Sequence, residues 1–292
     1  MKPAPFQYHA PHSLADALSL LAEHGYDAKP LAGGQSLVPT MNFRLAQPGI
    51  LVDLNHIPGL TYIRLGSDGD LHIGAMTRHS TVEQDLLVAQ HAPLLHETMP
   101  HIAHRQIRNR GTIGGSLAHA DPSAELPSVA VALHARFRLQ SQTGERWVAA
   151  ADFYQGLFTT DLTPEELLVE IVIPPLPARS GYAFDEVARR PGDYAMVGVA
   201  AIVILDAAGR CEEARLVYLS VGEGPVSATQ AAAALKGRQP SPDLLAQVAE
   251  IAATDDIDPV ADIHASAAYR RQLARVLAQR TLARAFERAA GQ

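Results

Sequence analysis

Apolar residues along this chain change their spacing several times, and each change marks an element. Over residues 14–25 (LADALSLLAEHG) they recur at helical spacing. Ser13 stands ahead as an N-cap, Asp16 lies at the capping-box distance and Gly25 falls past the last turn. The run 28–32 reads as a strand and 50–55 (ILVDLN) as a second, buried one, so strand, turn, helix and strand predict a small parallel α/β unit. After Pro58-Gly59, the runs 62–65 and 71–75 flank Ser67-Asp68-Gly69-Asp70, whose Asp-Gly favours a tight antiparallel hairpin. Helical stretches follow at 81–90, 93–103 and 123–134, with strands near 136–140, 146–148 and 167–173.

The run Pro174-Pro175-Leu176-Pro177 is the clearest boundary in the chain. Beyond it, 182–188, 197–205 and 215–221 predict a three-stranded antiparallel sheet, and 231–235, 242–253 and 267–288 a helical tail. The pattern is that of an α+β protein. It divides into residues 1–176, with subdomains of about 1–57 and 58–176, and a sheet-and-helix domain over 177–292.

Composition narrows the function. With 292 residues, 47% hydrophobic and 19% charged, the chain can build two modest cores. Its longest apolar stretch, 197–205, is too short to span a bilayer, so no membrane span is expected. The N-terminus MKPAPFQYHAPHS lacks a basic head followed by an apolar run, and a cytoplasmic location is expected by default. A net charge of −7 without a basic stripe argues against nucleic acid. The single cysteine, Cys211, supplies neither a disulfide nor the thiolates of an iron–sulfur cluster. The histidines of 91–104 lack the spacing of a known zinc motif, and no metal is expected here.

Two glycine pairs carry the candidate chemistry: Gly33-Gly34 in LAGGQSL and Gly114-Gly115 in TIGGSLAHADPSAELP. Successive N–H groups in a tight turn make a nest for an anion, and glycine lets a phosphate oxygen approach the backbone. Each pair follows a run that reads as a strand (28–32 and 110–113), and Ser36 or Ser116 adds a hydroxyl. A plain strand-to-helix turn would explain either pair alone. Neither has a P-loop lysine, and no G-x-G-x-x-G follows a predicted strand, so Walker and Rossmann sites are unsupported. Nor is there a nucleophile–base signature.

At these residues the chain resembles the FAD-binding subunit of molybdenum hydroxylases such as carbon monoxide dehydrogenase and bacterial xanthine dehydrogenase. The resemblance rests on AGGQSLVPTMNFRL (32–45), TIGGSLAHADPSAELP (112–127) and, more loosely, FDEVARRPGDYAMVGVAA (184–201). It implies an FAD-binding domain of the PCMH (vanillyl-alcohol-oxidase-like) type, built of two α/β subdomains, followed by the C-terminal domain.

Leu31, Ala32, Gly33, Gly34, Gln35, Ser36, Leu37 and Val38 would face the pyrophosphate from one side, and Thr112, Ile113, Gly114, Gly115 and Ser116 from the other. Asp121 and Glu125 would contact the ribityl or flavin part. The alternative is that Asp121 caps the following helix while Glu125 sits on its solvated first turn. Leu168 and Ile102 would lie against the ring, as core residues otherwise. His119 would approach the flavin or pyrophosphate, and Tyr194 would cover one isoalloxazine face or merely rim the sheet. Many relatives carry a lysine two or three residues before the paired basic residues. This chain has Asp185 and Glu186 there, which leaves Arg189 or Arg190 as substitutes.

The implied function is electron transfer. Molybdopterin would sit on a large subunit and two [2Fe–2S] clusters on a small one, with non-covalent FAD on this chain, in a dimer of heterotrimers. Substrate and final acceptor are not legible. A self-contained flavin oxidoreductase of the same fold is the alternative; such enzymes often attach flavin covalently in the first glycine loop, where this chain has Gln35.

Overall fold

The computed structural model describes residues 2–291. Strand β1 (Gln7–His9), helix α1 (Leu14–His24), strand β2 (Ala28–Leu31), helix α2 (Leu37–Asn42) and strand β3 (Ile50–Asp53) build a parallel sheet in the order β1–β3–β2. The central strand β3 is buried at all positions, as a continuous apolar run in a parallel sheet requires. Helix α1 begins where expected, with Ser13 accepting the Asp16 N–H, and packs Ala17, Leu18 and Leu21 against Ile50 and Val52. The predicted parallel unit is present, with β1 as an added edge strand whose three residues carried no periodic signal.

The next layer contains β4 (Ile63–Leu65), β5 (Leu71–Gly74), α3 (His79–Gln84), α4 (Leu86–His91), α5 (Pro93–Thr98), α6 (Arg105–Arg108), α7 (Ile113–His119), α8 (Glu125–Ala132), β6 (Arg136–Ser141) and β7 (Gly144–Ala149). It closes with α9 (Ala150–Phe153), the small hairpin β8 (Tyr154–Gly156) and β9 (Thr159–Thr160), and β10 (Leu167–Ile173). The five-stranded sheet runs β4–β5–β10–β6–β7 and is antiparallel throughout.

Three local expectations are corrected. The predicted helix over 81–90 breaks at Asp85, whose carboxylate accepts the N–H groups of Leu87 and Val88 and starts a new helix. The helix begun at Pro93 tightens into a 3-10 turn over Met99–His101, because Pro100 has no N–H to return to the preceding turn. Residues 110–113 are not a strand: Thr112 makes a single bridge with Arg78 and N-caps α7, which places both glycines of the second pair inside a helix.

Strands β11 (Ser180–Ala188), β12 (Ala195–Leu205), β13 (Cys211–Leu219) and β14 (Val226–Ser227) form the last sheet, antiparallel in that order. It has four strands rather than the expected three, the extra one being two residues long. Helices α10 (Thr229–Leu235), α11 (Pro242–Ile251) and α12 (Ala267–Ala290) cover one face.

Strand β12 explains why 197–205 is apolar without alternation. Val197, Val199, Val203 and Leu205 face the helices, while Ala200, Ile202 and Ile204 join the core of the preceding layer. Glu97 at the end of α5 accepts the Phe184 N–H (3.0 Å) and pairs with Arg288 of α12 (2.6 Å), tying the layers together.

Gly181 of β11 is where α12 comes closest. A Cβ there would stand 2.5 Å from the Ala289 nitrogen and press on the Ala285 carbonyl, both backbone atoms that cannot rotate away. Gly181→Ala is therefore expected to cost about 1–3 kcal/mol, the usual range for overpacking. A shift in the urea midpoint at constant slope checks it, and an unchanged midpoint would show that α12 slides freely.

Candidate functional site

The first glycine segment turns sharply between β2 and α2. Gly34 has φ +72°, a left-handed conformation that an L side chain adopts only with strain. Among the described residues, the N–H groups of Gly33, Gly34, Gln35, Ser36 and Leu37 find no partner within the protein. The Gln35 side chain folds back onto the Gly33 carbonyl (2.9 Å) and stiffens the turn. These amides border a cleft of about 340 Å³, lined also by Leu31, Val38, Asp53, Asn55 and Arg110.

The second segment behaves differently, and the expectation of two equal amide donors is corrected. The N–H of Ile113 goes to the Thr77 carbonyl (3.0 Å), that of Gly114 to Ala75 (2.9 Å), and that of Ser116 to Thr112 (3.1 Å). The Gly115 N–H goes to the Thr112 hydroxyl (3.2 Å). Among the described residues, the Thr112 N–H is the one amide of 112–116 without a partner. Gly114 is glycine because Ala75 leaves no room, a Cβ falling 2.5 Å from the Ala75 Cβ.

The two segments touch. A Cβ on Gly33 would lie 2.8 Å from the Gly111 Cα and collide with the Arg110 carbonyl, while one on Gly115 would lie 3.3 Å from the Ala32 Cβ. Their register is held by polar residues that carry no motif. Arg78 donates to the Arg110 carbonyl and to Asn55 Oδ1 (2.6 Å). Asn55 in turn donates to the Ala32 carbonyl (2.9 Å), and Asp53 accepts from Asn55 and from the Tyr8 hydroxyl (2.5 Å). Below them His79, 4% exposed, bonds the Thr112 carbonyl through Nε2 (3.0 Å), and burial pushes its pKa down to about 4. No spacing rule points to Asp53, Asn55, Arg78 or His79, because their roles come from contacts across 23 to 45 positions.

From this cradle the seven residues of α7 carry the chain about 10 Å to a second group. Asp121 accepts the Ser123 N–H (2.9 Å) in a turn before α8 rather than capping the helix itself. Glu125 opens α8 yet is only 7% exposed, so the solvated reading fails; burial, and then the charge of Glu186, push its carboxyl up to about 8. Tyr194 reaches over from the loop before β12. The residue is 69% exposed, and burial of its hydroxyl, then the charges of Asp121 and Glu125, raise its pKa. Gly192 sets that loop: a Cβ there would lie 2.5 Å from the His104 ring.

Ile102 and Leu168 are core residues with a sliver of surface each. His119 lies against Phe158, with ring centres 5.2 Å apart. Arg189 and Arg190 are exposed, and Glu186 is paired with His101 (3.4 Å).

Comparison with known proteins settles the family. Residues 4–176 match the FAD binding domain in molybdopterin dehydrogenase, and residues 182–285 the CO dehydrogenase flavoprotein C-terminal domain. The chain belongs to the FAD-binding subunits of the molybdenum hydroxylases. It is 47% identical to the 6-hydroxypseudooxynicotine dehydrogenase complex subunit alpha of Paenarthrobacter nicotinovorans, over 99% of this chain and 97% of the relative. It is 41% identical to the carbon monoxide dehydrogenase medium chain of Afipia carboxidovorans, over 99% of each. Among solved structures, a carbon monoxide dehydrogenase from Hydrogenophaga pseudoflava superposes with a TM-score of 0.95 at 37% identity, covering 99% of both chains.

The residues fit the cofactor of such a flavin subunit. Five unpaired amides, a glycine in the left-handed region and a cleft of about 340 Å³ with the Arg110 cation in its wall suit a diphosphate. Asp53 is the one carboxylate in the cleft wall, and both its oxygens are engaged.

His79 makes the cradle acid-sensitive. Its folded pKa of about 4 lies below the usual unfolded value of about 6.5, so between these limits unfolding takes up a proton. Stability of the flavin subunit is complete above the upper limit and declines as pH falls toward the lower one. Denaturant midpoints in His79→Gln should show a pH slope shallower by about one proton in that window; an equal slope would assign the acid sensitivity elsewhere.

Proposed function

We propose that this chain is the electron-transfer subunit of a heterotrimeric molybdenum hydroxylase, holding FAD non-covalently between two partner subunits and an external acceptor. The observation that carries the reading is the turn of unpaired amides at Gly33–Leu37 on a chain of this family. In this reading residues 1–176 bind the cofactor and 177–292 form the C-terminal domain. Molybdopterin belongs to a large subunit and the [2Fe–2S] clusters to a small one, and the assembly is a cytoplasmic dimer of heterotrimers. The single, buried Cys211 and the chain's own residues offer no thiolate set for such clusters.

When bound, the flavin supplies chemistry that takes up and passes on electrons singly or in pairs. The protein's part is to bind and orient. The amides of Gly33 to Leu37 would hold the diphosphate, with Ala32, Val38 and the Ser36 hydroxyl beside it and the α7 segment (Thr112, Ile113, Gly114, Gly115, Ser116) as a packed wall. Asp121 and Glu125 would meet the ribityl or ring end, with Ile102, Leu168 and His119 nearby. Tyr194, exposed on its loop, would screen one ring face. Covalent attachment has little support, since Gln35 occupies the turn and Cys211 is buried in the C-terminal core.

The visible spectrum of the chain purified with its associated proteins tests this. Flavin bands and an equimolar pigment released by acid are expected, with broad iron–sulfur absorption only when two further chains co-purify. Pigment that stays in the acid pellet, or turnover by the chain alone, would favour a self-contained flavin oxidoreductase. Failure to take up FAD would refute both.

A further inference from the structure

The five open amides of the Gly33–Leu37 turn are aimed from behind. In a trans peptide the N–H of one residue points opposite to the carbonyl of the residue before it, so whatever holds that carbonyl sets the direction of the N–H. Four of the five carbonyls concerned are held. The Ala32 carbonyl accepts from Asn55 Nδ2 (2.9 Å) and the Gly33 carbonyl from Gln35 Nε2 (2.9 Å). The Gly34 carbonyl accepts from the Val38 N–H (3.2 Å), and that of Ser36 from the Thr40 N–H (3.1 Å) and hydroxyl (2.8 Å). Helix α2 supplies the last two through its own first turns. The first two depend on side chains.

Asn55 has no freedom to turn. Its oxygen accepts from Arg78 Nη2 (2.6 Å), one of its amide hydrogens goes to Ala32 and the other to Asp53 Oδ1 (2.5 Å), a set of bonds that one orientation of the amide alone satisfies. A continuous chain of donors results. The guanidinium donates to the Asn55 oxygen, the Asn55 N–H to the Ala32 carbonyl, and the Gly33 N–H of the same peptide is left as the open end. Each amide in such a chain is polarised by the one before it, and this chain starts at a cation. The other arm of the guanidinium, Nη1, donates to the Arg110 carbonyl, against which Gly33 is packed. Arg78 is not among the residues that line the cleft.

We propose that Arg78 is a positioning residue for the diphosphate: through Asn55 it orients and polarises the Gly33 N–H, and through the Arg110 carbonyl it seats the turn against the α7 segment. The inference rests on the flavin reading above. Arg78 adds positive character to the anion site without entering it. A lysine would not serve equally, because one compact ammonium cannot hold two acceptors in the fixed fork that a guanidinium provides. Since the effect falls on the diphosphate, it is carried by the diphosphate alone as fully as by the whole dinucleotide.

Two titrations of the flavin-free full chain test this: inorganic pyrophosphate, read by NMR at the amide signals of Gly33–Leu37, and FAD, read by fluorescence. Wild type is expected to bind both. Arg78→Ala should raise both Kd values by the same factor, about tenfold, and move the unliganded Gly33 amide proton upfield as its polarisation is lost. Arg78→Lys keeps the charge and serves if the alanine variant does not fold; it too should weaken both ligands by a common factor. A urea midpoint that falls while both Kd values stay unchanged would make Arg78 a structural prop and nothing more. FAD weakened with pyrophosphate unchanged would put its effect elsewhere in the cleft, and wild-type binding by Arg78→Lys would remove the fork from the argument. Each of these overturns the assignment, as does a wild type that takes up FAD but not pyrophosphate, and all leave flavin binding intact. No FAD uptake by wild type would sink the flavin reading and this assignment with it.

Discussion

The contact between the two glycine segments is the constraint on which the rest of the site depends. Gly33 lies against Arg110 and Gly111 at distances that no side chain would permit, and Gly115 against Ala32 at a distance that leaves a Cβ little slack. Bare backbone in contact is weakly specific by itself. Arg78 and Asn55 supply the specificity, because together they bridge the Arg110 carbonyl of one segment and the Ala32 carbonyl of the other. Burial makes this brace demanding: desolvation, and then the nearby Arg110 charge, depress the Arg78 pKa, while Asp53 offsets part of that cost. The cradle is preorganised to the extent that these polar partners are all in place.

This arrangement divides labour between two segments that look alike in sequence. Gly33-Gly34 leaves amides open, and Gly34 needs its left-handed φ for that turn. Gly114-Gly115 spends its amides on Ala75 and on the Thr112 hydroxyl and serves as the wall against which the first turn is set. The same dipeptide does opposite jobs because one follows an edge strand into a loop and the other begins a buried helix whose N–H groups already have partners. A pattern of residue types cannot distinguish these cases; the hydrogen-bond inventory can.

Much of the fold was legible for a related reason. Elements whose signal is local, such as α1 with its Ser13 cap or the hairpin at Asp68-Gly69, fall close to where periodicity and turn chemistry put them. The misplaced boundaries, at Asp85, Pro100 and Thr112, are those where a single polar or cyclic residue overrides an otherwise continuous helical or extended pattern. Strands β1 and β14 carried too few residues to show a period. At the candidate site, the open turn at Gly33-Gly34 could be read from the chain. The brace of Asp53, Asn55 and Arg78 and the His79 prop could not, since each acts through a partner far away in sequence.

The double burial of β12 connects the fold to the second half of the site. Because its alternate residues enter two cores, the C-terminal sheet is held face-on to α5 and α8 instead of hinging at its edge. That fixed seam is what sets Glu186 of β11 3.4 Å from His101 in the turn after α5. A seam between two separately mobile domains would let water reach Glu125 and remove the burial that is the first cause of its raised pKa. Here packing keeps Glu125 only 7% exposed, and burial, then the Glu186 charge, push its carboxyl up to about 8 while Glu186 itself lies 3.4 Å from His101. The Glu97–Arg288 pair and the Glu97–Phe184 bond clamp the same seam at the β11 edge of the sheet. The raised pKa of Glu125 is therefore a consequence of how the C-terminal core is packed against α8, and a change in that packing would reach this carboxyl without altering α8 itself.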